Sequence, residues 1–280
     1  MTGYINATEI AETLRRIRDS VGQRIIGQDV VIDEILVAFL ARGHVLVEGV
    51  PGTAKTLLVR SLAESLGAGF GRIQFTPDLM PSDMTGVSVF SEATRGFEFR
   101  AGPVFTDLLL VDEINRMPPR TQAALLECME ERQVTVDGVR HDLASFFSVF
   151  ATQNPIEFEG TYPLPEAQLD RFLLKIRVPY PETADEVGIL SQAQGGFDAR
   201  HLEAVNLTRI DPALLHDGRR EVRGVTVEAS LLAYIVPDDV KEAALPVLRH
   251  RLVLKPEADL EGITADQALQ DVIRSVEIPR

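Results

Sequence analysis

The chain has 280 residues, 45% of them hydrophobic, so it is long enough to build a sizeable core and is not predicted to be disordered. Its formal net charge of −14 argues against a broad nucleic-acid surface and favours protein partners. The single cysteine, Cys128, excludes an internal disulfide and favours a reducing compartment. Neither a signal-peptide pattern nor an apolar window of about 20 residues is found, so we expect a cytoplasmic protein without a membrane span.

Two helical patterns of apolar residues occupy the first 43 positions. One runs from Ile10 to Val21 and the other from Val31 to Phe39. Between them lies Ile25-Ile26-Gly27-Gln28, an apolar pair followed by a glycine and a polar residue. This segment is equally compatible with an adenine site, in which Gln28 lies close to the edge of the base, and with a plain turn between two helices.

A glycine-bearing turn over residues 49–56 follows the apolar run 44–48 and precedes the helical pattern 57–63. A buried strand, a loop and a helix in this order are the context of a phosphate-binding loop, whose backbone N–H groups and helix N-terminus surround a polyphosphate. Lys55 would add a positive charge, and the Thr56 hydroxyl would ligate Mg²⁺. The predicted nucleotide-binding residues are Gly49, Pro51, Gly52, Thr53, Ala54, Lys55, Thr56 and Leu57. The alternative is an ordinary strand, turn and helix with a surface lysine.

The residue before the lysine departs from the general pattern of such loops, which places glycine there. Ala54 occupies the position in this chain. Because a Cβ atom disfavours positive φ, we expect Ala54 to keep φ below zero.

Two pairs of short runs predict hairpins inserted into the core. Residues 72–75 form a second strand, after which residues 87–90 and 97–100 alternate in polarity across a loop that contains Gly96. Residues 133–140 form the second pair, with Asp137-Gly138 as the turn. Two hairpins on a nucleotide-binding core indicate moving contacts with a substrate or a neighbour.

Residues 108–111 form a continuous apolar run that ends in Asp112 and Glu113. Such a run is typical of a central parallel strand covered on both faces, and ligands bind at the carboxyl ends of these strands. Asp112 is predicted to hold Mg²⁺, and Glu113 to orient or deprotonate an attacking water. The alternative is an acidic cluster at the start of a helix.

Two more buried strands are predicted at residues 146–152 and 173–178. Asn154 follows the first of them, where it would bond a γ-phosphate or the lytic water, or else serve merely as a turn residue. Pro179-Tyr180-Pro181 marks the domain boundary. We therefore predict an α/β nucleotide-binding core with a five-stranded parallel sheet over residues 1–180. Residues 181–280 would form a small helical lid domain, with helices over 182–194, 230–236, 238–250 and 264–276.

Five segments together resemble the MoxR family of AAA+ ATPases, over nearly all of the chain from Ile26 onward. They are residues 52–56, 73–79, 111–116, 151–157 and 159–172. In this family an alanine commonly precedes the P-loop lysine. The resemblance implies that Lys55 and Thr56 belong to Walker A, Asp112 and Glu113 to Walker B, and Asn154 to sensor 1.

The resemblance also implies partners and a cofactor. Arg171 would be an arginine finger that reaches the nucleotide of an adjacent subunit, which implies a ring, usually a hexamer. From the residues alone, Arg171 would only pair with something like Asp170. The implied cofactors are ATP and Mg²⁺. The implied work is chaperone-like maturation or assembly of protein complexes, including metal-cofactor insertion, often with a von Willebrand factor A domain protein.

The predicted lid departs from the family. Members carry several helices between the stretches that match 230–236 and 237–241, including a sensor 2 arginine, whereas here the two stretches are joined directly. No arginine lies between Arg223 and Arg249. An intact mass of 30.9 kDa would establish a true deletion. The missing sensor motivates a second hypothesis, an ATP-binding interaction module that does not hydrolyse ATP. A third, a DNA or RNA motor, suits the acidic charge poorly.

Overall fold

The computed structural model describes residues 7–155, 160–195, 218, 237–254 and 262–275. The strands are β1 (Val45–Glu48), β2 (Phe70–Gln74), β3 (Gly86–Ser91), β4 (Gly96–Ala101), β5 (Leu108–Asp112), β6 (Gln133–Val136), β7 (Val139–Asp142), β8 (Ser148–Gln153) and β9 (Leu174–Arg177). The helices are α1 (Ala7–Gly22), α2 (Asp29–Leu40), α3 (Lys55–Ser65), α4 (Pro81–Thr85), α5 (Pro119–Glu131), α6 (Glu166–Leu169), α7 (Thr183–Gln194), α8 (Pro237–Leu248) and α9 (Ala265–Ser275). A 3-10 turn spans Ile114–Arg116.

Five strands form one sheet in the order β2-β5-β8-β1-β9, and each neighbouring pair is parallel. Parallel neighbours cannot be joined by a tight turn, so crossover segments must connect them. Helix α3 connects β1 to β2, and α5 lies between β5 and β8. The predicted α/β class with a five-stranded parallel sheet is confirmed.

Successive side chains of a central strand pack alternately into two core clusters, one on each face of the sheet. Both faces are therefore buried. Leu108 and Leu110 of β5 pack in one cluster with residues of α1, α2 and α3, whereas Leu109 and Val111 pack in the other with residues of α5. Burying an aliphatic side chain of this size contributes about 1.5–3 kcal/mol. Because both faces are covered, the strand is apolar at consecutive positions instead of alternating in polarity. Cys128 is also buried in the second cluster, as expected of a small packed side chain.

The two predicted hairpins are confirmed. β3 pairs with β4 and β6 pairs with β7, both antiparallel. At the tip of the second hairpin, Asp137 has φ 51° and Gly138 has φ 78°. Positive φ at both central residues is what a two-residue turn of Asp-Gly type requires.

The C-terminal helices lie close to their predicted positions, since α7, α8 and α9 overlap the segments 182–194, 238–250 and 264–276. α8 packs on β9 and on α9. The predicted helix over 230–236 and the junction with Pro237 fall on residues that are not described, and the domain boundary near residue 180 stays a prediction. Within the described ranges, no helix has the length and apolarity that a membrane crossing requires.

His44, which directly precedes β1, is buried beside the sheet. Its Nδ1 accepts a hydrogen bond from the Val149 N–H at 3.0 Å, so Nε2 carries the proton and donates to the Met129 carbonyl at 3.2 Å. Burial, together with the charge of Arg132, lowers the pKa of His44 to about 4. The folded chain therefore holds this imidazole neutral.

We predict that the free energy of unfolding falls as the pH is lowered from 6.5 toward 4. In this window the unfolded chain binds a proton on His44 that the folded chain does not bind. The difference between an ordinary pKa of 6.5 and about 4 corresponds to a loss of about 3 kcal/mol when complete. Urea denaturation at several pH values measures the slope. It should be shallower in His44→Gln than in a His141→Gln control, and equal slopes would contradict the prediction.

Candidate functional site

The carboxyl ends of three adjacent strands bring the predicted site residues to one edge of the sheet. In the parallel register, Glu48 of β1 lies opposite Gln153 of β8, and Val111 of β5 lies opposite Ala151 of β8. The segments that follow these strands therefore begin side by side. They enclose a cavity of about 600 Å³ that is lined by residues 51–57, Arg60, Arg72, Gln74, Phe75, Asp112, Glu113, Thr152, Gln153 and Asn154.

The loop after β1 folds around the ammonium group of Lys55. Nζ donates to the carbonyl oxygens of Gly49 and Val50 at 2.6 and 2.7 Å. Gly52 has φ 85°, a conformation that glycine adopts without steric cost. A Cβ atom on Gly49 would lie 2.9 Å from the Val178 carbonyl oxygen, so a side chain there would push the loop away from β9. The loop is thus held around its lysine by the loop's own carbonyl groups.

Burial lowers the pKa of Lys55, although the carboxylates of Asp112 and Glu113 act in the opposite direction. The ammonium group is partly removed from water and is stabilised by opposite charge nearby. A polyanion bound in the cavity would therefore strengthen the charged form of this lysine.

Ala54 does not keep φ below zero, so that expectation is wrong. It has φ 59° and ψ 21° and stands immediately before α3. A left-handed conformation costs an L-residue with a Cβ atom roughly 1–2 kcal/mol. The chain accepts this cost because it must turn sharply there, which brings the first residues of α3 to the wall of the cavity.

The two predicted acids lie at the cavity, and each is paired with an arginine. Oδ2 of Asp112 accepts hydrogen bonds from Nε and Nη2 of Arg72 at 2.7 Å each. Glu113 has φ 54°, and its N–H donates to Oγ1 of Thr152 at 2.9 Å. The Glu113 carboxylate lies 3.3 Å from Nε of Arg116. Neither carboxylate is therefore an isolated negative charge.

A smaller cavity of about 300 Å³ adjoins the first and shares Gly52, Thr53, Ala54 and Leu57 with it. Its other walls are formed by Arg24, Ile25, Ile26, Gln28, Pro181, Ile189, Gln192 and Ala193. Nε2 of Gln28 donates to the Pro179 carbonyl at 3.2 Å, whereas Oε1 is buried and has no hydrogen-bond partner among the described residues. A polar cavity thus continues into a more apolar one, in whose wall the Gln28 Oε1 acceptor has no partner among the described residues.

Arg171 lines neither of these cavities. Its Nε and Nη2 bind Oε2 of Glu130 at 2.9 and 2.5 Å. Asp170 instead pairs with Arg251 at 2.7 Å, so the intrachain partner of Arg171 is Glu130 and not Asp170. The arginine is about one third exposed, which leaves it accessible to another molecule.

Two cavity residues escaped the sequence motifs: Arg60 and Arg72. Arg72 lies on β2, which pairs with β5 so that Gln74 is opposite Asp112. The only sequence signal for Arg72 was the presence of polar residues in the predicted strand 72–75. That signal becomes informative only when the order of the strands in the sheet is known.

Two family models match the chain. Residues 44–174 match the ATPase family associated with various cellular activities (AAA), and residues 233–272 match the AAA lid domain. The first match includes β1 and the loop around Lys55, both predicted acids and Asn154. The fold and the site thus define a P-loop AAA protein.

Similarity to individual proteins identifies the family within this class. The chain is 44% identical over 285 residues to the uncharacterised protein YeaC of Bacillus subtilis, covering 87% of this chain and 88% of that protein. It is 38% identical over 312 residues to the chaperone MoxR1 of Mycobacterium tuberculosis, covering 96% and 83%. A crystal structure of a protein described as a candidate ATPase from Cytophaga hutchinsonii superimposes with a TM-score of 0.85 at 34% identity, covering 98% and 97%. The chain belongs to the MoxR family of AAA+ ATPases.

The alignment with the chaperone MoxR1 is longer than this chain. Because 96% of 280 residues is about 269, about 43 of the 312 aligned positions hold no residue of this chain. The shortened lid stays a prediction.

We predict that Ala54→Gly raises the free energy of unfolding by a few tenths to about 1 kcal/mol, because glycine removes the cost of the left-handed conformation. The matched control is Ala63→Gly in the interior of α3, which should lower that free energy by about 1 kcal/mol or more. Chemical denaturation measures both variants. A loss of stability in Ala54→Gly as large as that in Ala63→Gly would contradict the conformational argument.

Proposed function

We propose that this chain binds ATP with Mg²⁺ and hydrolyses it to remodel protein partners. One observation carries the proposal: Lys55, Asp112, Glu113 and Asn154, which come from three separate segments, line a single cavity. Membership of the AAA+ family supports nucleotide chemistry at this cavity.

The two cavities fit the two ends of a nucleotide. The first turn of α3 and the loop before it would hold the phosphates through backbone N–H groups and Lys55. The adenine would enter the smaller cavity, where the unpartnered Oε1 of Gln28 would accept a hydrogen bond from the exocyclic amino group. This unpartnered acceptor favours the adenine interpretation over a plain turn.

The oxygen donors at the larger cavity suit Mg²⁺, which prefers carboxylate and hydroxyl ligands. Thr56 and Asp112 would hold the ion, which when bound neutralises charge on the phosphates. Lys55 would exchange its loop carbonyls for phosphate oxygens. Lys55 and Asp112 each have a partner within the chain that these ligands would replace.

Glu113 would orient the attacking water and accept its proton, and Asn154 would bond that water or the γ-phosphate. Oε2 of the Glu113 carboxylate lies 3.3 Å from Nε of Arg116, and the side chain is 40% exposed. The carboxylate is therefore accessible to a water.

Assembly into a ring, with a hexamer as the expected form, would complete the site. Arg171 lines neither cavity of its own chain, which supports action on a neighbouring subunit. Its contact with Glu130 would hold the guanidinium until the neighbour engages it. A planar bidentate cation at the transferred phosphoryl group stabilises the developing charge.

The hairpins support protein remodelling, because they place apolar side chains in solvent. Phe90 and Phe97 at the first hairpin are 54% and 77% exposed. The hairpins also contact each other, since the ring of Phe99 stacks on His141 with centroids 3.9 Å apart. A relative with the name chaperone agrees with client proteins as partners. By family resemblance these include von Willebrand factor A domain proteins and complexes that acquire metal cofactors.

We predict that Glu113→Gln retains ATP binding and lowers phosphate release by a factor of 10² or more, because a general base contributes about 10²–10⁴ to a rate. Binding is measured with a fluorescent ATP analogue and turnover as phosphate release at saturating ATP. Glu131→Gln, an exposed acid at the end of α5, is the control. Unchanged turnover in Glu113→Gln would refute the assigned role. ATP binding without phosphate release by the unaltered chain would favour the non-hydrolysing module.

We predict that Arg171→Ala and Lys55→Ala chains, each inactive alone, regain partial ATPase activity when mixed. The first supplies an intact phosphate loop and the second supplies an intact Arg171 to it, so activity should pass through a maximum with mixing ratio. Specific activity of the unaltered chain should also rise with protein concentration. No recovery at any ratio, with co-assembly shown by analytical ultracentrifugation, would contradict action between subunits.

A further inference from the structure

Arg72 belongs to β2, the strand at the edge of the sheet next to β5. Two of its nitrogens meet one oxygen of Asp112, each at 2.7 Å. The Asp112 side chain is 16% exposed, whereas that of Arg72 is 44% exposed. A charge-assisted contact of this kind is stronger than a neutral hydrogen bond. The partly exposed arginine therefore pairs with a more buried carboxylate, and both side chains line the cavity.

The covered carboxylate is the one proposed to hold Mg²⁺. Oδ2 of Asp112 accepts both contacts from Arg72, and Oδ1 lies 3.5 Å from Oγ1 of Thr152. A divalent ion at Asp112 would have to bind oxygens that already have these partners. Two cations also repel each other at such short range. Binding of Mg²⁺ at Asp112 and the contact with Arg72 are therefore in competition.

A released Arg72 would remain in the cavity, which it lines together with Lys55 and Arg60. Two arginines further along the chain lie outside this cavity. Arg249 lines a separate cavity, 3.4 Å from Asp266, and Arg171 is held by Glu130. The guanidinium fork matches the oxygens of a phosphate.

We propose that Arg72 is a positioning cation that exchanges Asp112 for the nucleotide when the site is occupied. This inference rests on the proposed function. In the free chain it neutralises Asp112. When Mg²⁺ and ATP occupy the site, Arg72 leaves Asp112 and binds the terminal phosphate of the nucleotide in its own subunit. It thereby compensates for the shortened lid, and it makes the chain distinguish ATP from ADP.

Nucleotide affinity in the Glu113→Gln background tests this inference without turnover. Fluorescent ATP and ADP analogues are titrated at fixed Mg²⁺, and Mg²⁺ is titrated at fixed ADP analogue. In Arg72→Gln, the ATP affinity should fall roughly tenfold while the ADP affinity stays within about twofold. The Mg²⁺ concentration needed for half-maximal ADP binding should fall, because the competing cation is gone. A weaker affinity for ATP together with a stronger affinity for Mg²⁺ would not result from a general loss of structure.

Arg18→Gln is the matched control, because Arg18 is 42% exposed and pairs with Asp33 at 3.2 Å on α1 and α2, away from the cavity lining. Arg72→Lys keeps the charge without the fork and should restore part of the ATP preference. Denaturation midpoints of all variants establish that they are folded. Equal loss of ATP and ADP affinity in Arg72→Gln, or an unchanged Mg²⁺ requirement, would overturn the inference. Absence of nucleotide binding by the unaltered chain would overturn the proposed function as well.

Discussion

The parallel pairing of β5, β8 and β1 is the constraint on which the rest of this molecule depends. The carboxyl ends of parallel strands lie at the same edge of the sheet, so the residues that follow these strands come together even though they are far apart in sequence. The loop around Lys55, the acids after β5 and Asn154 after β8 meet for this reason. The register is fixed by apolar side chains buried on both faces, because a slip of one residue would exchange the two core clusters.

The charged side chains of the site are paired with one another or with backbone carbonyl groups of the same chain. Lys55 binds its own loop, Arg72 binds Asp112, and Arg116 lies against Glu113. Each of these contacts satisfies a partly buried charge that would otherwise be costly. Under the proposed function, a nucleotide would replace these partners, and part of its binding energy would be used for the exchange. The proposed change of partner by Arg72 would then report whether a terminal phosphate is present.

A second set of charges links the nucleotide strand to the C-terminal helices. Glu48 at the end of β1 pairs with Lys175 at 2.8 Å and with Arg177 at 3.1 Å, and Arg177 pairs with Asp266 of α9 at 2.6 Å. Burial alone would raise the pKa of Glu48, but these two cations outweigh it and lower the pKa. Glu48, which directly precedes the loop around Lys55, is therefore connected to helix α9 through one intervening arginine.

The sequence by itself determined the strands and both hairpins, because these depend on local periodicity and turn residues. It also predicted the phosphate loop and the acid pair, because each is a motif of contiguous residues. It did not determine the left-handed Ala54, which results from the turn into α3. The Arg72 contact, the neighbouring cavity at Gln28 and the pairing of Arg171 with Glu130 were decided only by the tertiary structure. Each of these features joins side chains that are distant in sequence. The distances between them are set by strand order and helix packing, which no local sequence pattern encodes.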